Sequence, residues 1–222
     1  MPVALHWNEP PHAPAPPAPI VVLTHGAGGS MDEPVLEGVA QGLAAAGLRV
    51  ARFEFPYMAA RRADGRRRPP DRQPVLLDTW REVVAALAAA GHAPGELVIG
   101  GKSMGGRMAS LVADELGVGG LVCLGYPFHP PGRPLRLRTA HLAALRTPTL
   151  VVQGTRDPFG GRDEVGAYRL SPAIRIAWIE DGDHGFAPRR ASRRTRAQNV
   201  ADAVAAVADF VRALSDPARA AD

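Results

Sequence analysis

Scarcity sets the first limits on this chain of 222 residues. It has one cysteine, Cys123, which excludes an internal disulfide framework and any cysteine-rich zinc site. That thiol lies in the apolar run GLVCLGY and is expected to be buried and inert. Lys102 is the only lysine, so nearly all the positive charge is arginine. With abundant alanine, 24 glycines and 22 prolines, this is the usage that GC-rich codons produce. The formal net charge of +4 is therefore read as composition and not as a nucleic-acid footprint. No apolar run reaches the roughly 18 residues that a membrane span needs. The opening stretch, MPVALHWNEPPHAPAPPAP, has neither the basic start nor the apolar middle of a secretory signal. A soluble, cytoplasmic protein with no membrane or nucleic-acid partner is expected.

What is present supports a core. Apolar residues make up 46% of the chain, enough for one well-buried domain at this length. Short β-branched runs recur at 20–24, 49–55, 96–100, 120–125, 149–153 and 174–179, with a further short strand expected at 3–7. Helical periodicity fills most of the intervals. Leu76, Leu77, Trp80, Val83, Val84 and Leu87 make one apolar face, and Val200, Val204, Val207, Val211 and Leu214 another. Strands buried on both sides and alternating with helices imply an α/β fold, with a mostly parallel sheet and helices on both faces. The organisation reads as an N-terminal strand and proline-rich segment (1–19), one domain (20–214) and a tail (215–222). The arginine-rich stretch 60–74 reads as a solvated connector.

In parallel sheets, reactive groups gather where strands end. After the run ELVIG comes GKSMGG. A phosphate-binding loop would need a glycine at position 96, which is glutamate, and its intervening residues belong to the strand. The nucleophile-elbow pattern G-x-S-x-G fits in both register and context: Gly101-Lys102-Ser103-Met104-Gly105 follows a strand and opens a helical segment. A turn this tight brings its flanks together, so the positions two before and two after the serine want glycine. Ser103 is the candidate nucleophile. The side chains beside it should point away from its hydroxyl, which argues against Lys102 as a base.

Serine catalysis needs a base and an acid to orient it, in the chain order Ser, Asp or Glu, His on this kind of sheet. Asp157 follows the strand of TLVVQGTRDPFG and His184 follows that of IRIAWIEDGDHGF. Asp181 and Asp183 are too close to His184 in sequence to reach its far ring nitrogen. The oxyanion hole requires two backbone N–H groups. One comes from Met104, the residue after the nucleophile. The other comes from the glycine-rich loop THGAGGS, where Ala27 is the candidate, Gly26 lets backbone approach substrate, and His25 braces the loop.

The set HGAGG, GKSMGG, LGYPFHPPGRP, QGTRDPFG and DGDHGF resembles the α/β-hydrolase superfamily over roughly residues 20–214. Within it, the set is similar to the small dienelactone-hydrolase-like branch that includes the KANSL-type and testis-expressed hydrolase-like proteins. The resemblance implies an α/β-hydrolase fold and carries Ser103, Asp157 and His184 over as a catalytic triad. Dienelactone hydrolases use cysteine at the nucleophile position, so serine here points away from their substrate.

Just over 20 residues separate Gly125 from Thr149, room for a loop and the short helix HLAAL but no folded lid. The pocket should be shallow, suiting small esters or groups presented on a larger surface. Tyr126, Phe128 and His129 are candidates to line it, and Arg107, Arg133 and Arg156 to attract an anion or to form a solvated face. The expected activity is a hydrolase of esters or thioesters that needs no cofactor or metal. Two other classes stay open: an interaction module with a hydrolase shell, and a nucleic-acid binder resting on arginine content alone.

Overall fold

Seven strands form one sheet in the order β1-β3-β2-β4-β5-β6-β7. The computed structural model describes residues 3–12 and 18–215. The strands are β1 (His6–Asn8), β2 (Ile20–Thr24), β3 (Val50–Phe53), β4 (Leu97–Lys102), β5 (Gly120–Leu124), β6 (Thr149–Gly154) and β7 (Ile174–Ile179). β1 alone runs antiparallel, against β3; it falls at His6–Asn8, where 3–7 was expected. All other pairs are parallel. The expected tail beyond Ser215 lies outside the described residues, as do 13–17 of the proline-rich segment.

Alternation along the buried strands sorts side chains to two cores. Val22, Phe53, Ile99, Leu121, Cys123 and Val151 face one side, covered by α3 (Gln73–Ala89) and α4 (Met104–Ser110). Val21, Leu23, Val98, Val122 and Val152 face the other, covered by α1 (Pro34–Ala45) and α7 (Arg196–Ser215). The α3 stripe read from the sequence packs as expected, with Leu77 only partly buried at its edge. On α7, Val207 and Val211 are deep, while Val200 and Val204 reach α1. A Cβ on Gly42 would stand 2.6 Å from Val204, so glycine there lets the two helices approach closely.

The stretch 60–74 departs from its reading as a connector. Residues Pro56–Asp64 form α2, and α3 begins at Gln73, leaving only 65–72 between them. Arg62 there is exposed but paired: it bonds the buried Glu54 at 2.7 Å and also reaches Asp32. The short helices α5 (Ala113–Leu116) and α6 (Arg162–Val165) complete the set. Between β5 and β6 stand only a loop and a 3₁₀ turn, Ala140–Ala144, so no lid covers the carboxyl ends of the strands. No described helix is long and apolar enough to cross a membrane.

Candidate active site

Ser103 joins β4 to α4 with φ 50° and ψ −111°, a conformation rare outside glycine. Such a backbone stores about 1–3 kcal/mol and persists only where its surroundings over-determine it. Here the surroundings are the carbonyl row of β2. A Cβ on Gly101 would meet Thr24 O at 2.1 Å, and one on Gly105 would meet the same oxygen at 2.7 Å. The neighbouring strand thus requires both glycines. From the other side, Ser103 N–H donates to Leu124 O of β5 at 3.0 Å.

Asp157 and His184 come from the loops after β6 and β7. His184 Nδ1 lies 2.8 Å from Asp157 Oδ2. A carboxylate oxygen only accepts, so Nδ1 carries a proton and donates it to Asp157. The Asp157 side chain is fully buried, while that of His184 is 23% exposed. Phe159 packs against the imidazole, ring centroids 4.3 Å apart. The two loops can meet because Gly154 has no side chain: a Cβ there would stand 2.4 Å from Gly182 O. Asp183 and Asp181 build the histidine loop. Asp183 Oδ1 accepts from Gly185 N–H (2.8 Å) and Ala187 N–H (2.9 Å), and Asp181 bonds Arg189 at 2.6 Å and Arg156 at 2.8 Å. That contact also occupies Arg156, which is therefore not a free anion-attracting group.

The N–H groups of Ala27 and Met104 donate to no acceptor among the described residues. Their loop is tied back by its other atoms. Tyr57 OH donates to Gly26 O at 3.3 Å and Ala27 O at 3.0 Å. His25 Nε2 accepts Phe55 N–H at 3.1 Å, and its Nδ1–H donates to Gly26 O at 2.8 Å. Those two bonds fix a neutral imidazole, and burial pulls its pKa below the ordinary 6.5.

Ser103 and His184 open onto a cleft of about 340 Å³, bounded by the Gly26–Gly29 loop on one side and by Phe159 and Gly185 on the other. A larger hollow of about 630 Å³ sits at the opposite end of the sheet, near Ile20 and Gly95, away from these groups. Gly26 and Ala27 border this cleft, whereas Tyr126, Phe128 and His129 do not. Tyr126 and Phe128 are wholly buried and His129 is 3% exposed. The chain after β5 turns inward under the Asp157 loop: Tyr126 N–H donates to Gln153 Oε1 (2.7 Å), and a Cβ on Gly160 would touch the Phe128 ring at 2.7 Å. Phe159 forms the wall in their place, its carbonyl accepting His129 N–H at 3.2 Å.

Two residues escaped the sequence reading. Gln153, fully buried at the end of β6, donates from Nε2 to Asp157 Oδ2 (3.1 Å), Tyr126 O (3.2 Å) and Gly160 O (3.0 Å). A polar residue closing an otherwise apolar strand was the available signal. The other is the place of Lys102: read as facing away from the serine hydroxyl, it borders the cleft while only 6% exposed. Its Nζ lies 3.0 Å, and His184 Nδ1 3.2 Å, from the point a Cβ on Gly125 would occupy. Burial pulls the ammonium down to about 8, against the opposing pull of Asp157, Glu33 and Asp183. Cys123 is buried, and burial pushes its thiol up, consistent with an inert side chain.

A family model for the alpha/beta hydrolase domain matches residues 17–212. Several solved structures share the fold. A lidless a/b serine hydrolase from Xanthomonas campestris aligns with a TM-score of 0.69 at 21% identity, covering 95% of this chain and 88% of that one. A dienelactone hydrolase from Anabaena variabilis aligns with a TM-score of 0.68 at 22% identity, covering 94% and 90%. Est1E from Butyrivibrio proteoclasticus aligns with a TM-score of 0.67 at 15% identity, covering 96% and 94%.

Proposed function

This chain belongs to the alpha/beta hydrolase domain family, and we propose that it is a serine hydrolase that cleaves esters or thioesters through an acyl-enzyme. The observation that carries the reading is the hydrogen bond from His184 Nδ1 to the buried Asp157 carboxylate, beside a serine held at the head of the same cleft. That bond leaves Nε2 free to take the Ser103 proton.

In the proposed sequence, Ser103 Oγ attacks the acyl carbon as His184 removes its proton. The N–H groups of Met104 and Ala27 stabilise the oxyanion. The C–O or C–S bond then breaks, and the leaving group takes the proton from His184. Water, deprotonated by His184, releases the acid and restores Ser103. Asp157 holds the ring and stabilises the imidazolium throughout. No step calls for a cofactor or metal. The lidless 340 Å³ cleft suits a short acyl group, and an esterase domain from Rhodothermus marinus with the same fold favours the ester class by analogy.

Labelling with a fluorophosphonate probe, followed by turnover of p-nitrophenyl butyrate, tests the reading. Stoichiometric labelling of the native protein, abolished in Ser103→Ala and in His184→Ala, is the expected result. A folded native protein that takes no label would overturn it in favour of an interaction module built on a hydrolase shell.

A further inference from the structure

The chain leaving β5 makes a compact loop whose ends are joined. Arg138 N–H donates to Phe128 O at 2.7 Å, and Tyr126 OH donates to Arg138 O at 3.0 Å. Between them, successive turns are closed by Arg133 N–H to Pro130 O and Arg136 N–H to Arg133 O, each 3.0 Å. Loops of this kind hold their shape and often carry function. At its tip Leu135 is 96% exposed and Leu137 48%, two of the three large apolar side chains exposed among the described residues. A leucine left in water forgoes the stabilisation of burial, so the fold itself gains nothing from this placement.

The charges around the leucines are also without partners. Arg133, Arg136 and Arg138 alternate with them, and Arg107 lies behind on α4. None of these four guanidinium groups meets a carboxylate among the described residues, whereas Arg62, Arg68 and Arg81 each do. Arg107 Nε is buried with no hydrogen-bond partner. Arg138 holds its proton less firmly than usual, through burial and then through Arg107 and Arg136 beside it. Like charges gathered without counter-ions, around exposed leucines, form a surface complementary to an acidic and partly apolar one.

The loop stands at the rim of the cleft: His129 N–H donates to Phe159 O at 3.2 Å, and Phe159 is the wall beside His184. The opposite rim is different. There Asp32 and Glu54 are paired with Arg62 and line a neighbouring hollow with Glu33 and Arg61, so the charges are largely balanced. A flat anionic membrane would press on both rims, so a one-sided basic patch fits a discrete protein better.

We propose that the loop 129–137 docks an acidic carrier protein that presents a short acyl group, as a thioester, to Ser103. The proposal rests on the serine-hydrolase reading and names its substrate class. The acyl carbon passes from sulfur to Ser103 Oγ, the thiol leaves with the proton held by His184, and water then frees the carboxylic acid.

The test uses acyl carrier protein charged with a butyryl thioester, beside butyryl-pantetheine as the same chemistry without a protein. Docking is read first on the Ser103→Ala protein by calorimetric titration, which is independent of turnover. Measurable binding that weakens with added salt, and weakens at least tenfold in Arg133→Glu/Arg136→Glu and in Leu135→Ser/Leu137→Ser, is expected. With Ser103 present, kcat/KM for the charged carrier should exceed that for butyryl-pantetheine at least tenfold. The same loop variants should lower only the carrier value. Absent binding, binding unchanged in both loop variants, or equal losses on both substrates would overturn the proposal, as would preference for anionic vesicles over the carrier. Failure here with fluorophosphonate labelling intact removes the carrier and leaves the hydrolase reading standing.

Discussion

Gln153 Nε2 donates to Asp157 Oδ2 at 3.1 Å, the same oxygen that accepts the His184 proton at 2.8 Å. The amide therefore fixes the Asp157 carboxylate and, through Tyr126, ties it to the chain leaving β5. Gln153→Ala would leave the buried Tyr126 N–H unpaired, at a cost of about 1–3 kcal/mol. It should also lower kcat by about 10- to 100-fold, the range seen when outer partners of a reactive group are lost. Urea denaturation and p-nitrophenyl butyrate kinetics on the same variant read the two effects. Unchanged kcat would show that Asp157 holds its place without this amide.

Asp157→Asn should lower kcat by about 10⁴-fold while the protein stays folded, because an amide can stabilise the wrong imidazole tautomer. A loss under tenfold would remove Asp157 from the machinery.

Lys102 gives stability a dependence on pH. Unfolded, the lysine keeps its proton to about 10.5; folded, burial lowers that to about 8. Between those values the unfolded chain binds more protons, so stability rises with pH through that window. Below pH 8 the fold carries the whole cost of a buried ammonium, about 3 kcal/mol on this shift. Lys102→Met should be more stable than the native protein at pH 7 and should lose the rise between pH 8 and 10.5. Urea titrations at pH 7, 9 and 10.5 decide it, and a less stable methionine variant at pH 7 would contradict the account.

His25 acts in the opposite range. Its folded pKa is depressed by burial, so the unfolded chain takes up a proton first as pH falls below 6.5. Stability that is full above that value is lost on acidification. His25→Ala should flatten this acid limb, and at pH 7 it should cost about 1–3 kcal/mol for the unpaired Phe55 N–H. Thermal melts at pH 5 and 7.5 report both, and a native melting temperature unchanged between them would count against it.

The backbone at Ser103 supplies a comparison that needs no catalysis. At φ 50° and ψ −111°, glycine is at ease and alanine is not. Ser103→Gly should exceed Ser103→Ala in stability by about 1 kcal/mol or more. Equal stabilities would mean that the elbow stores no strain.

The local pattern was enough to find the elbow, because strand, turn and helix follow one another within a dozen residues around GKSMGG. The sheet and its covering helices were equally legible, since a strand buried on both faces leaves an unbroken apolar run and a helix leaves a 3.6-residue stripe. Asp157 and His184 could be named from the strands they follow. Arg62 could not be placed: an arginine among arginines reads as solvated until Glu54 and Asp32 fold against it.

What the sequence alone determined, then, is the order of strands and helices and the chemistry available where the strands end. Which face each end-of-strand residue meets was decided by the tertiary structure. Tyr126 and Phe128 had the composition of a pocket wall, yet the chain turns inward after β5 and buries them against Gln153 and Gly160. Lys102 ends beside His184, its Nζ in the space that Gly125 leaves open. Gln153 became the brace of Asp157 only when β5 and β6 paired and brought Tyr126 within reach of its amide. Local periodicity records whether a side chain is buried, but its partner is set by contacts between segments far apart in the chain, and those exist only once the sheet has closed.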